Sequence, residues 1–498
     1  MNRPSFNVLS EPWIPVIRLD DSSGYLGILP CLEKAHELRE IRDAAPIIEF
    51  GLYRLLVAFV LDALILANRR PKHPLDLKSL IKEGRFDTDL LNNYAQRCGD
   101  VFDLFHPERP FLQTAMEKAE AKPLAGVFAA APSGTNACHW HHQDEDDMAV
   151  TPAHAARLLT TIAPFMTEGG RGLSPSINGA PAIYALPIGS NLFETIVLSI
   201  PCRTDQEDGD GAIAWRSKRV PGSERTQATT VEALTWQPRR IQLVPGDTVS
   251  RMKFEKGDTA RLTAWTDASL AYRYDKDKHT PIRMRENRPL WRDAGALLLL
   301  GDQDDKRAQG ESKTAFRRPD VVEHAFAVSE GKDVRIQLYG MRTDKMKVFE
   351  WAKAVLAVPA RLGQSTRLGF LVQRELDRAE KAAWWLRTVI KDLYPPRNVE
   401  NNKRAPAAVA DRCERNYWQR LEPSFYPLMT AFAALGPDAP DDPGPIATTA
   451  GDWRDAIKSL ASEQFEFAAK DMDSDSDALE RQVRARDKLN KILKEVLS

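Results

Sequence analysis

Between Val372 and Leu393, apolar side chains recur at spacings of four and three: Val372, Leu376, Ala379, Ala383, Leu386, Ile390 and Leu393. An α-helix gathers that spacing onto one stripe, and the stripe must be buried against elements of similar length. Pro395-Pro396 ends it, because proline has no amide proton to continue the ladder. The following sequence supplies partners. A second helix spans about Ala407 to Leu435, bent at Pro423 and Pro427 and stopped by Gly436-Pro437, and a Pro/Asp-rich linker runs to Pro445. A third covers about Asp452 to Phe467. A fourth follows the acidic run Asp471–Asp477, which suits the positive end of a helix dipole. It turns Leu479, Val483, Leu489, Ile492, Leu493 and Val496 inward. Four helices with short links predict a four-helix bundle over residues 356–498.

Residues 1–355 follow a different pattern. Phe6-Asn7-Val8-Leu9 reads as a strand, Glu11-Pro12 as a turn, and Trp13-Ile14-Pro15-Val16 as a further extended run. Ala45 to Leu66 reads as a helix entered by Pro46 in its first turn. Its apolar stretch, Phe50 to Ala67, is interrupted by Arg54 and Asp62, so it is a buried helix rather than a membrane span, which needs about 20 mostly apolar residues. Shorter helices and Pro-rich turns fill residues 68–123. Small residues dominate from Gly126 to Gly189, and 203–231 is a long polar loop. From Ala233 to Tyr339 strand-like runs such as Arg240–Val244 and Val334–Tyr339 alternate with charged turns. The fold class is therefore α+β: a large mixed α/β N-terminal domain, residues 1–355, followed by the bundle.

Charge narrows the function. Lys+Arg 69 against Asp+Glu 70 gives a net charge of −1, so any attraction to nucleic acid must come from local patches. The cysteines, Cys31, Cys98, Cys138, Cys202 and Cys413, are scattered and odd in number, with no C-x-x-C pair. That argues against a zinc module and a disulfide scaffold and fits a reducing, cytoplasmic setting. The first residues carry no apolar signal core.

Four segments could carry chemistry. His139-Trp140-His141-His142-Gln143-Asp144-Glu145-Asp146-Asp147 mixes imidazole and carboxylate, so a metal-dependent nuclease is one reading. A solvated loop and a partner-binding loop built on Trp140 are the others. Glu168-Gly169-Gly170-Arg171-Gly172-Leu173-Ser174 lacks both the dinucleotide-binding spacing and the Gly-Lys-Ser/Thr of a phosphate loop. It is a surface loop, or one laid in a nucleic-acid groove, where a missing Cβ allows close backbone approach. Gly340-Met341-Arg342-Thr343-Asp344-Lys345-Met346-Lys347 is a solvated turn or a hairpin tip that pries base pairs apart. Arg251, Lys253, Lys256, Arg273, Lys276, Lys278, Arg283, Arg285 and Arg288 form a mixed surface, or follow phosphates if they share a face. No Ser-His-Asp arrangement or G-x-S-x-G elbow is present, and these signals alone suggest a multi-domain binding subunit.

Several segments, in order, resemble the CasA family, the large subunit of type I-E Cascade. Phe6–Val16 resembles its N-terminal strand and W-I-P-V signature. His106–Thr114 resembles its H-x-x-x-P-F-x-Q-T stretch, and Leu124–Val127 and Ser133–Asn136 precede the His/Trp loop as in the family. Thr235-Trp236-Gln237-Pro238 resembles its F-W-Q-P turn, and Gly340-Met341-Arg342 and Glu414-Arg415-Asn416-Tyr417-Trp418 match later landmarks. The resemblance implies a non-catalytic subunit whose glycine loop, here Gly169, Gly170, Arg171 and Gly172, lies against the minor groove of the protospacer-adjacent motif. Readout there is degenerate, and Arg171 adds a charge where the family loop can be all glycine. The wedge that splits the first target base pairs maps to Arg342, Thr343, Asp344, Lys345 and Met346, with Lys345 in place of a glutamine tip. A lysine finger maps to Lys253 or Lys256. His139, Trp140 and His141 align with the loop that docks the subunit near the 5′ end of the guide RNA. Some relatives carry clustered cysteines after the F-W-Q-P turn. None stands here between Cys202 and Cys413, so neither zinc nor another cofactor is expected. The implied partners are the other Cascade subunits and guide RNA, double-stranded target DNA and the helicase–nuclease, with no membrane. A metal-dependent nuclease on the His139–Asp147 run and a scaffold without DNA contact are the rival readings.

Overall fold

The computed structural model describes residues 4–125, 128–130, 148–169, 172–202, 211–262, 265–275, 278–300, 315–344, 347–394, 404–436, 443–470, 472 and 475–498. It is a mixed helix-and-sheet structure of two compact units. The first is Met1–Glu286, Thr314–Glu330 and Val334–Leu356; the second is Asn287–Lys313, Gly331–Asp333 and Ala357–Ser498.

In the first unit β1 (Ile14–Arg18) pairs antiparallel with both β2 (Ser23–Leu26) and β3 (Leu38–Ile41). Phe6–Leu9, expected as a strand, makes one isolated bridge, Asn7 to Asp103. The Asn7 side chain accepts from the Leu9 amide (2.9 Å) and its carbonyl from the Glu11 amide (2.8 Å), which turns the chain before a ladder can form. Helix α1 (Pro46–Leu66) is buried on nearly every side. Its charged residues each meet a partner far along the chain. Glu49 accepts from the Tyr339 hydroxyl (2.6 Å), Arg54 pairs with Asp267 (2.9 Å), and Asp62 accepts from Arg216 (2.6 Å). Paired in this way, charges can lie in a core. Gly51 lets α2 (Pro152–Thr160) approach, since a Cβ there would lie 2.7 Å from the Thr160 carbonyl oxygen.

β4 (Tyr184–Ile188) edges a second sheet. β5 (Arg239–Leu243) and β6 (Arg251–Lys256) pair antiparallel with Arg239 opposite Lys256 and Gln242 opposite Lys253. β7 (Val334–Asp344) lies between β4 and β8 (Lys347–Val358), so β7 and β8 flank residues 345 and 346.

In the second unit α3 (Thr366–Asp392) carries the stripe read from the sequence. Val372, Leu376, Ala379, Ala383, Leu386, Ile390 and the following Leu393 are all buried. The second helix is two, α4 (Arg404–Leu421) and α5 (Phe425–Leu435), separated by a 3-10 turn that contains Pro423. Pro427 lies in the first turn of α5, where no ladder bond is lost. A short helix, Pro443–Thr449, begins within the expected linker. α6 (Gly451–Lys470) and α7 (Ser476–Val496) complete the chain. α3 packs on α4, α6 and α7. The second half of α7 faces as expected, with Leu489 and Leu493 buried; the first half does not. Leu479 and Val483 are 50% and 54% exposed, and Ala478, Ala485, Leu489 and Leu493 face inward. The Asp475 carboxylate caps the Ala478 amide (2.7 Å) and sets the start of the helix. Small alanines then admit the neighbours. Among the described residues no helix is long and apolar enough to cross a membrane.

Candidate nucleic-acid interface

The turn before β5 organises the region. Trp236 is buried with Ala163, Ile177, Ala228 and Ala233. The carbonyls that follow accept from the chain leaving β6: Gly257 N to Pro238 O (3.1 Å) and Asp258 N to Gln237 O (2.9 Å). A Cβ at Gly257 would collide with the Gln237 carbonyl and lie 2.6 Å from the Arg239 nitrogen, so only glycine fits. Asp258 accepts from the Gly222 amide (2.8 Å), the Ser223 amide (3.1 Å) and Arg219 (2.9 Å). Burial alone would raise the Asp258 carboxyl; Arg219 and the two amides more than offset it and hold it below the usual carboxylate range.

The glycine segment packs on this turn. Its stems are tied by Ser176 N to Met166 O (2.9 Å) and Gly169 N to Leu173 O (3.2 Å). Between those rungs the Arg239 guanidinium donates to Thr167 O (3.1 Å) and Ser174 O, and also to Pro238 O (2.9 Å). The Ser174 and Thr259 hydroxyls share a hydrogen bond of 2.7 Å. Arg239 is 3% exposed, and no carboxylate is paired with it among the described residues. Burial pushes its guanidinium down to about 10. Gly172 has φ +83°, with nothing within 4 Å of a Cβ position, so its backbone is open to the outside. Gly170 and Arg171 lie outside the described residues.

The two finger candidates differ. Lys253 is half-buried and donates to the carbonyls of Met116 (2.6 Å) and Glu117 (3.4 Å). Lys256 is exposed, directly opposite Arg239 in the β5–β6 register. Farther along, the guanidinium of exposed Arg283 lies 3.2 Å from where a Cβ on Gly179 would stand. Arg288 is not part of a basic face: it is half-buried and bound to Asp293 (2.9 Å) and Glu380 (2.6 Å).

In the hairpin Met341 is buried, Thr343 half-buried and Asp344 exposed. Arg342 donates to Glu350 (2.7 Å), lies 4.5 Å over the Phe349 ring and is 4.0 Å from Glu286. These contacts brace the strands beneath the tip. Lys345, Met346, His139, Trp140 and His141 lie outside the described residues. Among the described residues no cluster of metal-ligating side chains occurs, and Cys31, Cys98, Cys202 and Cys413 are unpaired in disulfides. Sequence reading missed Arg239, Gly257 and Asp258. The Thr235–Pro238 landmark stopped one residue short of Arg239, and an arginine held by carbonyls has no acidic partner to mark it.

Residues 7–464 match the family model described as CRISPR-associated protein Cse1. A Thermus thermophilus protein named CRISPR-associated protein CasA/Cse1 is 27% identical over 490 residues, covering 92% of this chain and 91% of that one. The solved structure of Thermus thermophilus CasA (Cse1) superposes with a TM-score of 0.78 at 24% identity, covering 98% of this chain and 99% of the other. A chain of a CRISPR RNA-guided surveillance complex gives 0.76 at 20% identity, covering 98% and 99%. With the match extending over nearly the whole sequence, the chain belongs to the CRISPR-associated protein Cse1 family.

Proposed function

We propose that this chain is the large, non-catalytic subunit of a type I-E Cascade surveillance complex, and that it reads the protospacer-adjacent motif in double-stranded DNA. The observation that carries the reading is the mounting of bare backbone at Gly172 and of exposed Lys256 on one turn, residues 236–239. Bare backbone suits a minor groove, and a nearby cation suits its phosphates. The family membership and the likeness to a chain of a surveillance complex support assembly with guide RNA and other subunits. Residues 1–355 act as the motif-recognition domain. The segment Arg342–Met346 acts as the wedge, and His139, Trp140 and His141 dock the subunit near the guide RNA. Residues 356–498 act as a four-helix bundle that holds the displaced strand and faces the helicase–nuclease. Guide pairing then reads the sequence while protein reads the short motif, a division of labour known for another effector class.

Gel shifts of the reconstituted complex test this. Motif-bearing duplexes should bind more tightly than scrambled ones, and Gly170→Asp and Lys345→Ala should remove the difference; equal binding by every variant would overturn the reading. The fingers separate by salt. Lys256→Ala should reduce the slope of log affinity against log salt by about one. Lys253→Ala, whose ammonium is held by carbonyls, should leave the slope unchanged. The opposite pattern would reassign the finger.

A further inference from the structure

The glycines of the loop are not equivalent. A Cβ at Gly172 would meet nothing, whereas one at Gly169 would lie 2.6 Å from Arg239 Nη2 and 3.0 Å from the Leu173 Cβ. We propose that Arg239 is the positioning residue of the motif-reading loop, and that position 169 is glycine to admit its guanidinium rather than to admit DNA. This rests on the motif-reading role argued above.

The loop stems have a backbone rung at Met166–Ser176 and another at Gly169–Leu173. Between them Thr167 and Ser174 both turn carbonyls toward Arg239, which bridges them while holding Pro238 O. A cation removed from water is costly unless hydrogen-bonded, and charge-assisted bonds are the stronger kind. The guanidinium therefore stays where its carbonyls are, and the stems stay with it. Its planar fork spans acceptors farther apart than the single nitrogen of a lysine can. Pro238 also accepts from Gly257, the residue after Lys256, so loop and finger share one anchor. With no carboxylate paired to it among the described residues, the charge also adds positive potential behind the loop backbone, the sign that attracts DNA.

The test uses the full chain in its reconstituted complex and two probes. One is a guide-matched duplex pool with randomised flanking bases, its bound fraction sequenced. The other is the guide-complementary single strand, which requires no motif reading. Arg239→Met should weaken duplex binding on the order of ten- to a hundred-fold, the scale of an ångström-sized misplacement, and flatten the flanking preference. Single-strand binding should not change. Gly169→Ala should cause a similar loss in the wild-type background and a clearly smaller one in Arg239→Met, where only the Leu173 contact remains, the non-additivity expected of residues in contact. An equal penalty in both backgrounds would overturn the proposal. So would a preserved flanking preference in Arg239→Met. If Arg239→Met fails to assemble, Arg239→Lys keeps the charge, loses the fork and should show the same selective loss; undiminished preference there overturns the proposal. A wild-type complex without flanking preference would instead overturn the motif-reading role itself.

Discussion

Replacing Arg54 with methionine should destabilise the protein by about 3–5 kcal/mol, the scale for removing one partner of a buried ion pair, and should reverse its pH dependence. Arg54 and Asp267 are 3% and 4% exposed and 2.9 Å apart. Arg54 also donates to the carbonyls of Leu234 and Ala233, both at 3.1 Å. Methionine fills much of the volume but leaves a buried carboxylate without its counter-charge and takes a donor from two carbonyls. In the wild type, burial would raise the Asp267 carboxyl; Arg54, the Ser269 amide and Asn178 outweigh burial and hold it below its ordinary value. A depressed carboxyl contributes stability above the unfolded value of about 3.9, lost as pH falls through the folded one. In Arg54→Met burial prevails and the folded carboxyl rises above the unfolded value. The variant then loses stability as pH climbs from about 4 through the raised folded value. Urea midpoints across that range measure both slopes, and a variant with the wild-type slope would refute the account.

The second large effect is expected from Glu375→Ala in α3. Glu375 is fully buried and accepts from Arg378 (2.5 Å) and Arg454 (2.8 Å). Those arginines reach on to the chain end: Arg454 to Leu497 O (3.1 Å), Arg378 to Val496 O (3.1 Å) and Ser498 O (2.9 Å). Alanine leaves two largely buried guanidinium groups without their carboxylate and should cost about 3–5 kcal/mol. Glu466→Ala, which removes a half-exposed partner of Arg486, should cost less than about 1 kcal/mol. Thermal unfolding of the two variants side by side tests the contrast, and similar losses would refute it.

Much of the helical end was legible because a one-sided stripe reports its own burial. The six stripe positions of α3 and the following Leu393 needed no tertiary information. α7 misled because apolar character does not distinguish an inward leucine from an outward one when alanines serve the interface: Leu479 and Val483 outscore Ala478 and Ala485 in hydropathy yet face water. Of the strands flanking the hairpin tip only Val334–Tyr339 was read from the sequence: β7 runs on to Asp344, and β8, Lys347–Val358, was not anticipated. The interface was legible only in part. Glycines mark where backbone can be bare, but the residue that shapes them, Arg239, lies 72 positions beyond Thr167. Lys253 and Lys256 look alike in sequence, and only the fold reveals that carbonyls already hold one of them.

The interior charges of α1 also bear on synthesis. Glu49 waits for Tyr339, 290 residues downstream, and Asp62 waits for Arg216, 154 residues downstream. Pairings so distant in sequence close slowly. A nascent chain on the ribosome therefore displays an apolar helix with unmatched charges until Tyr339 and Lys353 have emerged, and over that interval chaperones have their longest claim on it.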